Sequence, residues 1–138
     1  MDTCAWCRPF DELSNQRIIQ ESYAIAEILK KVDSREIEII GSSILLVEIS
    51  MITPKIKEET VQSLVKHIAN SFPGVTDSVE MLARELMRAC AIDAVDALHL
   101  AVAIENKSEQ FITTDDIILN KAKCISGYGI TVKNPCEA

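Results

Sequence analysis

The sequence predicts an α/β domain in which a mostly parallel sheet is covered by helices on both faces. Three observations carry that expectation. Short apolar runs of strand character alternate with longer stretches of helical periodicity, and this alternation requires crossover connections between parallel strands. The stretch Ala94 to Glu105 is helical in pattern and apolar nearly all round, so it belongs inside. A chain of 138 residues, 48% hydrophobic and 25% charged, suits a single domain spanning residues 1–138. A domain of this size buries roughly 68% of its unfolded surface.

From Ser14 to Val32 the apolar residues Ile18, Ile19, Ile25, Ile28, Leu29 and Val32 fall mostly at steps of three, four and seven. This predicts an amphipathic helix capped by Ser14. Glu36 to Ile40 alternates and then becomes continuously apolar before Gly41, as a short buried strand does. Ser42 and Ser43 cap a helix through Met51, and Thr53-Pro54 starts another that runs through Ile68. Phe72 to Val75 is a turn. Thr76 and Asp77 open a helix that aligns Val79, Leu82, Leu86 and Cys90. After the buried helix, Gln110 to Thr113 reads as a strand, Asp115 to Cys124 as a helix, and Gly129 to Lys133 as a last strand before Asn134-Pro135.

Composition narrows the function. The net charge of −7 argues against a broad basic face that coats nucleic acid, because phosphate affinity comes from Lys and Arg. A local group such as Lys55, Lys57 and Lys66 still suffices to track a backbone. Six aromatics leave few stacking platforms, so recognition of a single strand would lean on phosphates and shape. No run of about 18 uninterrupted apolar residues is present to span a bilayer. The start, Met1 to Glu12, has acids, arginine and proline where a signal peptide needs a basic segment and an apolar run. A cytoplasmic protein with five reduced cysteines, rather than a disulfide framework, is the expectation.

In open parallel sheets, sites form beyond the carboxyl ends of strands. Four acids suit that position: Asp2 at the start, Glu48 within an apolar helix, Asp96 at the head of the buried helix, and Asp115 directly after a strand. Glu48 in Ile44 to Ser50, and Asp96 in Ala94 to Ala101, have apolar neighbours on both sides, and a buried acid needs a partner or a cation. Each also has an ordinary explanation. Asp96 and Asp115 fit helix caps, Glu48 fits a counter-charge for a buried Lys or Arg, and Asp93 and Asp116 fit capping or solvated positions. Oxygen donors in a group suit Mg2+ or Mn2+, whereas zinc prefers imidazole and thiolate, and His67 and His99 are the only histidines.

Asp2-Thr-Cys4 followed by Arg8-Pro-Phe10, then Glu48, then Asp96-Ala-Leu-His-Leu-Ala101, then Phe111-Ile-Thr-Thr-Asp-Asp116, together resemble the successive signatures of PIN domains over nearly the whole chain. That resemblance implies a PIN-like parallel-sheet sandwich, phosphodiester cleavage of RNA with Mg2+ or Mn2+, and frequent homodimers. Its small stand-alone members include VapC toxins, which VapB antitoxins inhibit. It implies that Asp2, Glu48, Asp96 and Asp115 are the metal-site and catalytic acids, with Thr114 a supporting hydroxyl. PIN domains have a hydrophobic strand before the first acid. Here only Met1 precedes Asp2, and Cys4 stands where many members have asparagine, so the expected domain lacks the usual first strand. The recorded start is then too late, or the chain is a damaged relative.

Three other readings compete. Cys4-Ala-Trp-Cys7 has thioredoxin-like spacing, but it lacks the preceding strand and Arg8-Pro9 follows it. His99 pairs with His67 in a metal-free acid–base scheme, although Leu98, Leu100 and Ala101 around it favour a packed core histidine. The third is a catalytically inactive PIN-like module that binds RNA or protein.

Overall fold

The computed structural model describes residues 1–138. The chain runs through α1 (Thr3–Cys7), a 3-10 turn (Arg8–Phe10), α2 (Gln16–Asp33), α3 (Ser43–Ser50), α4 (Lys55–Ile68), α5 (Asp77–Cys90), α6 (Ala94–Glu105), β1 (Gln110–Ile112), α7 (Asp116–Leu119), α8 (Ala122–Ser126), β2 (Thr131–Lys133) and a 3-10 turn (Pro135–Glu137). No helix is long and apolar enough to cross a membrane.

Helix starts follow local chemistry. Asn15 caps α2 through Ile18 N at 3.0 Å, so the cap lies one residue beyond Ser14. Ser42 caps α3 through Leu45 N, and Thr76 caps α5 through Val79 N. These hydroxyl and amide oxygens satisfy N–H groups that have no partner within their helix. At α4 the helix begins after the proline, with Pro54 itself in the cap position and no side-chain cap.

The fold is α/β, but the sheet is smaller than expected. It has two strands, β1 and β2, paired in parallel with Phe111 opposite Val132. The segment Glu36–Ile40 was expected to be a strand and is not one. A strand exists only by its ladder, and here Ile39 C=O accepts from Asn70 N–H while Gly41 N–H, just past the segment, donates to Ser71 C=O. Beyond it, Gly41 passes under Phe72, where an added Cβ would stand 2.6 Å from the ring. The last strand begins at Thr131 rather than Gly129, because Gly129 has a φ of +86°. The expected helix from Asp115 to Cys124 is broken into α7 and α8 at Asn120-Lys121.

Two apolar clusters flank β1, and its alternation serves both. Phe111 packs with Leu86, Leu100, Ile118, Ile125 and Val132. Ile112 packs with Trp6, Ile25, Leu45, Ile49 and Val61. The expectation of reduced thiols fails at one pair. Cys90 at the end of α5 and Cys124 in α8 form a disulfide with Cα atoms 5.8 Å apart, while Cys4, Cys7 and Cys136 are free. The packing of α8 against α5 brings together two thiols that lie 34 positions apart.

Candidate functional site

The end of β1 meets the start of the chain. Asp2 N–H donates to Ile112 C=O at 3.3 Å, which sets Asp2 beside the residues that follow the strand. Its carboxylate caps α1 through Ala5 N at 3.0 Å and accepts from Thr113 Oγ1 at 2.5 Å. The same Thr113 oxygen accepts Asp115 N–H at 3.0 Å. One fully buried hydroxyl therefore ties Asp2 to Asp115. Asp115 in turn caps α7 through Ile117 N at 2.9 Å, so the capping explanation describes its local geometry correctly.

Glu48 comes from the last turn of α3, and its partner is not a Lys or Arg. Its Oε1 accepts from Thr3 Oγ1 at 2.6 Å and is bonded to His99 Nε2. His99 is buried, as a core histidine should be, yet its ring is committed to a carboxylate. His67 is exposed on α4 and does not bond it, which leaves the histidine-pair scheme without geometry. Asp96 lies in the first turn of α6, one turn before His99, where Asp93 holds the cap position without a side-chain bond.

The acids also act on one another's titration. Burial pushes the Asp96 carboxyl up to about 6, and the charges of Asp115 and Asp2 add to that rise. Burial also raises Asp2, against the hydrogen bonds of Thr113 and Ala5. Cys4 faces solvent at its surface, but packing around its sulfur, followed by the fields of Asp2, Asp115, Asp96 and Glu48, pushes its thiol up to about 12. All four acids therefore lie near enough to Cys4 for their charges to bear on its thiol. Burial also raises Cys7, so the Cys-x-x-Cys lacks the lowered thiol pKa of a redox site.

None of the four acids has a Lys or Arg ion pair: Arg8 and Lys57 pair with Asp11, Arg17 with Glu21 and Asp116, and Glu48 with His99. A set of oxygen donors without a Lys or Arg counter-charge fits a hard divalent cation in kind. No group of three or more His, Cys, Asp or Glu side chains stands at metal-holding spacing. A cavity of about 650 Å³ lies alongside, lined by Thr3, Cys4, Arg8, Arg17 and Asp115 among others.

Sequence reasoning named the acids but missed Thr3, Thr113, His99 and Arg17 as their supports. Thr114 was the expected hydroxyl. It is buried, and its carbonyl accepts from Arg17 Nη2 at 3.1 Å, whereas the hydroxyl joining the acids is Thr113's. The signal for Thr113 was present, since a hydroxyl that continues a buried strand must find a partner. Arg17 lies 97 positions before Thr114, and nothing local marked it.

An α/β chain that gathers carboxylates beyond the end of a parallel strand belongs to the broad class of folds whose site is built on that edge. The PIN domain family matches residues 1–123, and the chain belongs to that family. The PIN domain is generally a nuclease fold, and its members typically use divalent metals. No curated protein and no solved structure matches the chain.

Proposed function

We propose that this chain is a divalent-metal-dependent endoribonuclease that hydrolyses RNA phosphodiester bonds. The observation that carries the reading is the joining of Asp2 to Asp115 through Thr113 beyond the end of β1, with Glu48 and Asp96 near enough for all four charges to bear on Cys4 and none of the four paired with a Lys or Arg. These four side chains would hold Mg2+ or Mn2+. When bound, the ion supplies charge balance and polarises the scissile phosphate. The chain's own residues orient the acids: Thr3 and His99 hold Glu48, and Thr113 holds Asp2 against the turn that carries Asp115. The cavity lined by Arg8, Arg17 and Asp115 gives the RNA backbone an approach to them.

The resemblance to small VapC toxins supports a toxin role with a VapB-like antitoxin as partner, a homodimer, and a cytoplasmic setting. A second reading, an inactive PIN-like module that binds RNA or protein, is favoured by one feature. The edge of β1 beside Asp2 is left without a strand.

The deciding experiment is cleavage of a mixed RNA pool with Mg2+ or Mn2+. Cleavage that EDTA abolishes and Asp96→Asn removes is the expected result. Cleavage indifferent to EDTA counts against the metal mechanism, and bound but uncut RNA favours the inactive module. Repeated failure to recover a small partner from native cells would remove the toxin role and leave the nuclease standing.

A further inference from the structure

We infer that Arg17 is a positioning residue for the acid centre, one that fixes Asp115 by clamping the residues on either side of it. This rests on the reading of the four acids as a metal centre.

Arg17 projects from the first turn of α2 toward the turn between β1 and α7. Its Nη1 and Nη2 each donate to one Asp116 carboxylate oxygen at 2.8 Å, and Nη2 also donates to Thr114 C=O at 3.1 Å. A single planar guanidinium therefore holds the residue before Asp115 and the residue after it. Asp115 itself remains bonded through its own N–H to Thr113, and its carboxylate reaches no partner beyond the cap of α7.

The clamp has an anchored base. Arg17 Nε donates to Glu21 Oε1 at 3.2 Å, and Glu21 is 1% exposed. Asn134 Nδ2 donates to Glu21 Oε2 at 2.7 Å, and Arg8 Nε lies 3.4 Å from the same Oε1 that Arg17 bonds. A buried carboxylate with partners from three segments is a rigid support. Arg17 Nε is tied to that support, and Glu21 keeps Asn134 and Arg8 beside it when Arg17 is removed.

Stability does not account for this arrangement. The Arg17 and Asp116 side chains are 49% and 64% exposed, and exposed ion pairs contribute little to folding. A bidentate fork contributes geometric specificity as well as attraction. Here that specificity acts on the backbone of a candidate ligand. Lysine, a point charge on a flexible stem, cannot make the fork and the carbonyl bond together.

The test uses the full chain, with Mn2+ alone as the probe, and compares the wild type with Arg17→Ala, Arg17→Lys, Asp116→Asn and the Arg17→Ala/Asp116→Asn double variant. Calorimetry reads Mn2+ affinity, thermal melting without metal reads stability, and RNA cleavage is followed separately. Residues that orient ligands typically change metal affinity or activity by roughly 10- to 100-fold. The expected result is a loss in that range for Arg17→Ala at a melting temperature close to wild type. Lysine should not rescue it, Asp116→Asn should lose part of the affinity, and the double variant should be no worse than Arg17→Ala. Wild-type affinity in Arg17→Ala overturns the positioning role alone. So does a loss that only tracks a lowered melting temperature, or a raised KM for RNA with unchanged Mn2+ binding, which would make Arg17 a substrate contact. A wild-type protein that binds no Mn2+ overturns the acid-centre reading, and the positioning role with it.

Discussion

The two edges of β1 are built very differently. On one side the strand pairs along its length with β2, and Thr131 N to Glu109 O and Thr113 N to Lys133 O extend the pairing at both ends. The cluster behind that side is further held by the Cys90–Cys124 disulfide. On the other side a single backbone bond, Asp2 N to Ile112 O, is made along the edge. Next to it lies a cavity of about 670 Å³ between Gln110–Ile112 and the segment from Glu36 to Gly41, with Met1 in its wall. Burial there lowers the pKa of the Met1 α-amino group, against the pull of Asp2. Asp115 is therefore attached to the supported side and Asp2 to the open one. Thr113 is the side chain that bridges the two.

Reduction tests the supported side. In the chain-entropy picture, opening a loop of this size removes about 2–4 kcal/mol, so thermal melting with and without dithiothreitol should show the largest change of this set. An unchanged melting temperature would mean that packing of α5 on α8 alone holds that half.

Thr113→Val tests the bridge. It keeps the shape but strips a buried Asp2 oxygen of its donor and Asp115 N–H of its acceptor, at a cost of about 1–3 kcal/mol. RNA cleavage should fall more than stability does, because Asp2 and Asp115 lose their common reference. Full activity at lowered stability would separate Thr113 from the site.

The open edge can be strengthened instead. Five apolar residues added ahead of Met1, designed to lie beside Gln110–Ile112, would bury both faces of a new strand. A gain of about 1 kcal/mol, comparable to other single stabilising changes, should raise Tm by roughly 4 °C. Equal melting temperatures for the two chains would show that the cavity does not accept a strand.

Asp96→Asn should abolish cleavage without lowering stability. The folded Asp96 carboxyl keeps its proton up to about 6, whereas its ordinary value is 3.8. Between those values the folded state holds a proton that the unfolded chain has released, so this group's contribution to stability falls as pH rises through the window. The variant should lose that slope and be at least as stable as wild type at pH 7 without metal. A melting curve with the same pH slope in both proteins would remove Asp96 from the crowded centre.

Local information reached far in this chain. The apolar helix Ala94–Glu105 has the same bounds in pattern and in structure, and Ser42 and Thr76 cap the helices they were expected to cap. Helical periodicity and capping act over three or four residues, so a short window of sequence contains their causes. The resemblance read from Asp96 to Ala101 and Phe111 to Asp116 likewise needed only short motifs, and the family match covers residues 1–123. Longer-range features were decided elsewhere. Glu36–Ile40 has strand chemistry but no ladder, because a strand depends on a neighbour that its own residues do not specify. Cys90 and Cys124 lie 34 positions apart, and the Arg17–Asp116 pair 99 positions apart. Such contacts exist only once α5 meets α8 and α2 meets the end of β1. Sequence alone named the four acids and the chemistry they suit. Tertiary packing decided which groups orient them, because a hydrogen bond depends on distances that the folded chain alone establishes.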